Sequence, residues 1–287
     1  MNNGLLIYNP EDYEKNKWFV SELLSKAPNC GLSLQLVLSS ELILGVHEAG
    51  LYAKSINQDA PFDNLKFVIN RSRSSLIGSH FEQMGCKVFN NSQVTQICNH
   101  KGRTHQLVNS HHMPSVHTLL CNKKYTNINH LAFDYPMILK SIDGHGGSEV
   151  FMLASQQELK VALDKLPSDD FILQQPCGKP GIDIRVFALG KEIIAAVKRH
   201  NPNHFKSNYS LGGNAIGYTL SSFEEALVRN ILNLLDFDLV GIYFILDENG
   251  QLLFNEIEDV VGTRTLYLNY PDIDIVALYL DYIANKI

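Results

Sequence analysis

Two carboxylates two residues apart lie in the apolar stretch LLFNEIEDVVGTR (252–264). In an extended chain successive side chains alternate faces, so Glu256 and Glu258 share one. Like charges side by side repel unless a cation sits between them. Hard divalent ions take oxygen ligands, and Mg²⁺ commonly joins one or two carboxylates to substrate phosphates. Leu252, Leu253, Phe254 and Ile257 make the strand too apolar for a simple solvated face, and Asp259 adds charge at its end. The spacing predicts a metal site on Glu256 and Glu258.

A second group is MILKSIDGHGGSEV (137–150), a strand ending in Lys140 followed by Gly144, Gly146, Gly147 and Ser148. A hairpin turn needs one or two residues at positive φ, which glycine adopts cheaply. Three glycines exceed that need, and such a loop can turn backbone N–H groups toward an anion. The lysine precedes the loop and no helix follows, so neither the P-loop nor the dinucleotide fingerprint is present. On its own the segment reads equally well as a phosphate-gripping loop or as a glycine-rich turn.

Between these groups lies a basic and polar set. Asp183 and Arg185 stand at i and i+2 on one strand, Lys198 and Arg199 end the next, and FKSNYSLGG supplies Lys206, Asn208 and a glycine pair. Cations, amide donors and a divalent ion are what a transferring phosphoryl group requires.

Elements must hold these residues in place. GLLIYNP, a helical stretch with Trp18, Phe19, Leu23 and Leu24 on one face, and LSLQLVLS form a strand–helix–strand unit, which implies parallel pairing. LKFVINR, a helix ending at Gly85, and CKVFNN extend this to an open α/β domain over 1–95, with the first helix's aromatics, Trp18 included, in the core. A helix is expected from Ser92 to the stop at Pro114, capped by Asn91 or Ser92. Strands follow at HLAFDYPMILKSI and EVFMLAS, then a helix started by Ser155, and a strand at DFILQQPC. IDIRVFALGKEIIAAVKRH gives two strands turning at 189–191, and 201–215 reads as loop. A helix with a capping box runs from Ser221 or Ser222 to Glu224 or Glu225 and beyond. A hairpin around Glu248, Asn249 and Gly250 carries the carboxylates, and an apolar helix closes the chain.

The bulk properties narrow the function. With 287 residues, 45% hydrophobic and 19% charged, the chain is an ordinary globular one of two or three units. A net charge of −6 gives no basic excess to hold a polyanion, so nucleic acid is not expected as partner. No secretory signal or membrane-length apolar run is visible. Five scattered cysteines without a C-x-x-C pair suit a reduced, cytoplasmic protein. The histidines of 99–117 lack metal-ligand spacing and read as surface or packing residues. Cys177 has no visible histidine partner for a nucleophile role.

In order and spacing, these pieces resemble the ATP-grasp superfamily, most closely its branch of RimK-like ligases, across nearly the whole chain. The carrying motifs are the 80–118 segment HFEQMGCKVFNN…HHMPSVHT, PMILKSIDGHGGSEV, ILQQPCGKPGIDIRVFALG, FKSNYSLGG and FNEIEDVVGTR. The resemblance implies an N-terminal α/β domain (1–95) and two α+β lobes, 96–176 and 177–287, that clamp a nucleotide. It implies Lys101 and Lys140 on the phosphates of ATP, with Gly144, Gly146, Gly147 and Ser148 closing over them. It implies Gln175, Pro176 and Cys177 as the hinge against adenine, Asp183 near the ribose, and Lys206 and Asn208 on the phosphates. Glu256 and Glu258 would hold Mg²⁺ or Mn²⁺, and Arg185, Arg199 and Lys206 would serve the reaction, the two arginines facing a carboxylate substrate or its acyl phosphate. The chain departs from the family pattern at Tyr243, where an aspartate ligand is usual, at Glu258 for an asparagine, at Lys206 for an arginine and at Gln175 for an acid.

The implied activity joins a carboxylate to an amine (of an amino acid, peptide or carrier protein) through an acyl phosphate, releasing ADP and phosphate. Relatives often form homo-oligomers. Tyr243 and Gln175 keep open an ATP-binding regulator or scaffold with lost turnover, and a small-molecule kinase on the same fold is a third reading.

Overall fold

The computed structural model describes residues 1–147, 149–202, 204–207 and 213–287. The chain opens with β1 (Asn2–Tyr8), α1 (Pro10–Lys26), β2 (Leu32–Leu38), a hairpin of β3 (Leu42–His47) and β4 (Gly50–Ser55), β5 (Leu65–Arg71), α2 (Ser75–Gln83) and β6 (Lys87–Phe89). Strands β2, β1, β5 and β6 form a parallel sheet in that order. Alternation along β1 sends Leu6 and Tyr8 to the α1 side and Leu5 and Ile7 to the α2 side, so both faces are buried.

Phe19, Val20 and Leu23 are the buried face of α1, whereas Trp18 is 55% exposed. Its expected place in the core is therefore corrected. Adjacent helical residues point about 100° apart, and Phe19 takes the inward direction. Trp18 instead rests edge-on against Tyr267, 4.7 Å between ring centres.

The helix expected over 92–113 is two, α3 (Ser92–Cys98) and α4 (Lys101–Ser110). Asn91 caps the first through Val94 N–H at 2.9 Å. At the break, Asn99 folds its amide back to Thr95 O (2.9 Å) and the His100 ring accepts from Arg103 N–H (3.2 Å), side-chain bonds that compete with continuous helix. The interruption puts Lys101 in a helix's first turn.

A four-stranded antiparallel sheet follows, ordered β7 (Thr118–Asn122), β10 (Asp170–Gln174), β8 (Met137–Ser141), β9 (Val150–Leu153), with α5 (Gln156–Lys165) on its outer face. The last sheet is antiparallel as well, ordered β13 (Asn214–Tyr218), β12 (Glu192–His200), β11 (Ile182–Leu189), β14 (Leu239–Leu246), β15 (Leu252–Glu258). Thus Asn214 and Ala215, read as loop from their polar surroundings, begin an edge strand on β12. α6 (Ser222–Leu232) starts with the capping box of Ser221 and Glu224. α7 (Arg264–Asn269) and α8 (Ile275–Ala284) end the chain.

The C-terminal sheet has one uniform face and one divided face. Ile184, Val186, Ile242, Phe244 and Ile257 pack on α6. On the other side Phe187, Leu189, Val197 and Leu239 meet α8 and α1, but further along the same strands that face turns polar with Asp183 and Arg185. Five apolar side chains of α8 seal the apolar half. At about 1.5–3 kcal/mol each, their burial contributes on the order of 10 kcal/mol. The polar half becomes a wall of a cleft.

Candidate active site

The cleft lies between the two antiparallel sheets. On β8, Met137 and Leu139 enter the core while Ile138 and Lys140 face the cleft. Val150 and Met152 of β9 and Ile245 of β14 continue the apolar lining. Gln175, Pro176 and Cys177 follow β10 and connect the sheets at its back. Just beyond, Gly178 sits at φ +59°, where a Cβ would lie 1.6 Å from the Leu246 carbonyl oxygen, so this close passage requires glycine.

The other side is ionic. Asp183 stands opposite Arg199 in the β11–β12 ladder, Arg185 opposite Tyr243, and Tyr243 opposite Glu256. Arg199 donates from Nε to Asp183 Oδ1 at 2.7 Å and makes a second, very short bond from Nη2 to Oδ2. Ser207 Oγ also donates to this carboxylate. Both partners are nearly fully buried. Burial alone would lower the Arg199 pKa, but the Asp183 carboxylate more than offsets it and raises it. Arg199 and Asp183, assigned by resemblance to substrate and ribose, are engaged with each other.

Arg185 lies 4.2 Å from the centre of the Tyr243 ring and donates to Gly262 O at 2.9 Å. Arg199 approaches the same ring at 5.0 Å. The Tyr243 hydroxyl donates to Glu258, whose carboxylate lies 3.9 Å from Arg185 Nη2. Burial would push Glu258 up, but Arg185, the tyrosine hydroxyl and Arg199 together hold it below the usual carboxylate range. Tyr243 itself is pushed well above a free phenol by burial, so it is a neutral donor.

Three lysines enclose the remaining space. Lys140 Nζ donates to Asn255 Oδ1 at 2.7 Å. Burial pushes its pKa down to about 8, with Glu256 pulling it up and Lys101 lowering it further. Lys101 donates its backbone N–H to Ile142 O (2.9 Å) and its ammonium to Gly144 O. Lys206 reaches Gly147 O from the opposite side at 2.5 Å. The glycine loop, with Gly146 and Gly147 at φ +66° and +80°, is held between these two cations. His145 lies within it, kept neutral by burial and by Arg73 and Lys101, with a pKa of about 4.

Every candidate among the described residues lines this one cleft: Lys101, Lys140, the three glycines, Gln175 to Cys177, Asp183, Arg185, Arg199, Lys206, Glu256 and Glu258. Ser148 and Asn208 lie outside the described residues. Asn255 is a contributor that period-two reading misses. Tyr243 pairs with Glu256 but Phe244 with Phe254, so Asn255 is the extra residue of a β-bulge and turns toward Lys140. Arg73 reaches the cleft rim from the N-terminal sheet with its charge on Asp12, while Arg71 is buried, donating to Val261 O at 2.9 Å. Asp259 is pushed to about 6 by burial and accepts from Asn99 at 2.9 Å.

The arrangement suits a nucleotide polyphosphate: three lysines and the glycine loop line the cleft beside an apolar slot. For a divalent ion the fit is narrower. Among the described residues no group of three or more His, Cys, Asp or Glu side chains is placed to hold a metal. Glu256 lines the cleft with no hydrogen bond or ion pair among the described residues, and Mg²⁺ can be held by one such carboxylate plus phosphates.

A family model, the RimK-like ATP-grasp domain, matches residues 98–283. The chain belongs to the RimK-like ATP-grasp family. It shares 26% identity over 285 residues with MG011 of Mycoplasma genitalium, an uncharacterized protein, covering 99% of this chain and 93% of that one. Human beta-citrylglutamate synthase B is 24% identical over 290 residues, covering 96% and 74%. Among solved structures, the ATP-grasp ligase PsnB, complexed with a variant precursor, Mg and ADP, superposes with a TM-score of 0.71 at 14% identity over 99% of this chain and 98% of that one. The fold is ATP-grasp, mixed α/β, with a parallel N-terminal sheet and two antiparallel sheets around the cleft. No helix among the described residues is long and apolar enough to cross a membrane.

Proposed function

We propose that this chain is an ADP-forming ligase that joins a carboxylate to an amine. The observation that carries the reading is the convergence of Lys101, Lys140, Lys206 and the glycine loop on one cleft that also presents the carboxylate of Glu256. A substrate carboxylate oxygen attacks the terminal phosphorus of ATP, the bond to the bridging oxygen breaks, and ADP leaves. The amine nitrogen then attacks the acyl carbon, the carbon–nitrogen bond forms, phosphate departs, and the amine's proton passes to solvent. Lys140 and Lys206 neutralise developing phosphate charge, the loop excludes water, and Arg185 faces the acyl phosphate. A Mg²⁺ held at Glu256 would supply further charge neutralisation to the phosphates. Purified protein with ATP, Mg²⁺ and a panel of amino acids, peptides and small carboxylates should release ADP and phosphate in equal amounts only when both substrates are present. Stable phosphorylated product without phosphate release would replace the ligase reading with a kinase.

The second reading, a nucleotide-binding regulator without turnover, draws on Tyr243, whose hydroxyl occupies Glu258. It predicts tight ATP binding with no ADP release across the same panel.

A further inference from the structure

We propose that the Tyr243 ring and the Arg185 guanidinium fill the position of one divalent ion, so the cleft takes a single ion, on Glu256 and the nucleotide phosphates, with Glu258 serving as the anchor of Arg185. This rests on the proposed nucleotide-binding function and concerns the charge arrangement within it.

Three observations support the inference. First, Glu258 is already satisfied. The Tyr243 hydroxyl donates to it and Arg185 lies 3.9 Å away, whereas Glu256 makes neither a hydrogen bond nor an ion pair among the described residues. The two carboxylates share a face by strand alternation but differ in what occupies them. Second, the ring is fixed. Tyr243 is 1% exposed, and the two guanidiniums lie 4.2 Å and 5.0 Å from its centre. Cations over an aromatic face are stabilised by the ring quadrupole. The Tyr243 hydroxyl donates its proton to Glu258, so the oxygen it would offer an ion is already engaged. Third, charge is balanced there without a metal. Arg199 is neutralised by Asp183 and Arg185 by Glu258, so an added dication would face two guanidiniums across one ring. Lys140 lines the same cleft as Glu256, and a nucleotide phosphate would share it.

The arrangement makes Arg185 a positioning unit as well. Its Nη1 donates to Gly262 O at 2.9 Å, so anchoring by Glu258 holds the guanidinium between the ring and the 259–263 segment.

The test uses Mn²⁺ as probe with a non-hydrolysable ATP analogue and the full chain. Electron paramagnetic resonance and equilibrium dialysis should give one Mn²⁺ per chain with no spin-coupled pair. Two coupled ions in the wild-type protein would overturn the proposal. Glu256→Gln should lose the nucleotide-dependent Mn²⁺, while Glu258→Gln should retain it at unchanged stoichiometry. Equal loss in both variants would overturn the assignment of Glu258 as an anchor. Tyr243→Asp supplies a third carboxylate and should raise the stoichiometry to two. A stoichiometry that stays at one, in a variant that still binds the analogue, would show that the ring does not occupy an ion's place. Analogue binding measured without metal separates the two levels of inference. Its absence in the wild type both with and without metal defeats the nucleotide reading, whereas analogue binding with two ions defeats this inference alone.

Discussion

The two walls of the cleft are built from similar antiparallel sheets and do opposite things. The central wall presents Ile138, Val150 and Met152 with one ammonium, Lys140, at its end. The C-terminal wall presents Asp183, Arg185, Arg199, Tyr243, Glu256 and Glu258 in adjoining register positions. A flat apolar slot can hold a base through contact area and tolerates imprecision. Charges out of water tolerate none, so the second wall pairs almost all of its own, and among the described residues Glu256 makes no hydrogen bond or ion pair. Apolar surface and charge lie on different sheets, and two lysines reach across, Lys140 to Asn255 and Lys206 to Gly147 O.

The comparison breaks most visibly at the buried pair. Arg199→Ala leaves the Asp183 carboxylate, its side chain 6% exposed, without its cation. Removing one partner of a buried pair costs about 3–5 kcal/mol. The thermal midpoint should fall by several degrees even without ligand, and Arg199→Met with Asp183→Leu together should recover much of it. If Arg199→Ala unfolds no more easily than Met152→Ala, the claim that the C-terminal wall depends on paired charge is wrong.

Next in size is Lys140→Ala. The buried ammonium donates to Asn255 and lines the cleft. Loss of a charge-assisted bond of about 1.5–3 kcal/mol predicts about 10- to 100-fold weaker ATP binding by calorimetry. Unchanged affinity would remove the lysine from the phosphate site.

The same lysine gives a pH test. Its pKa in the folded protein is about 8, below the ordinary 10.5, with burial the main cause. The native state therefore binds fewer protons than the unfolded chain between those values. The burial cost is fully present below about pH 8, and stability rises with pH as the lysine deprotonates. Nucleotide binding moves the other way, because phosphates favour the charged form. ATP affinity should weaken above about pH 8, and Lys140→Met should flatten that limb. A wild-type profile level from pH 7 to 10 would show that Lys140 keeps its proton throughout.

Which parts of this were legible in the sequence follows from the range of the interactions. Lys140, the glycines and the two glutamates announce themselves because each acts through its own type and near neighbours. Strand alternation placed Glu256 and Glu258 correctly but could not place Asn255, since a bulge depends on which partner residue is skipped on β14. The hairpin β3–β4 was not anticipated, and it depends on Gly45. In the fold its missing side chain admits the Tyr52 ring, which would meet a Cβ at 2.1 Å. Tyr243 stood out as a departure, yet its bond to Glu258 spans 15 residues, and Arg73 meets Asp12 across 61. Such pairings are set by sheet order, which local patterns do not encode. Trp18 failed for a smaller reason: helical periodicity fixes a face only to within a residue.

The smallest expected effect is the most discriminating for the two walls. Met152 is half-buried, lines the cleft and carries no polar side-chain group. Trimming it to alanine removes contact area worth about 1–2 kcal/mol if a base covers it. ATP and adenosine should then weaken by similar factors, since both carry the base, while inorganic triphosphate binding should not change. Lys140→Ala should show the reverse pattern, sparing adenosine and weakening ATP and triphosphate together. If Met152→Ala weakens triphosphate as much as adenosine, or Lys140→Ala weakens adenosine as much as ATP, the two sheets do not divide base from charge. The ratio of the two variants' effects across the three ligands therefore measures the division directly, independent of which carboxylate or amine the protein joins.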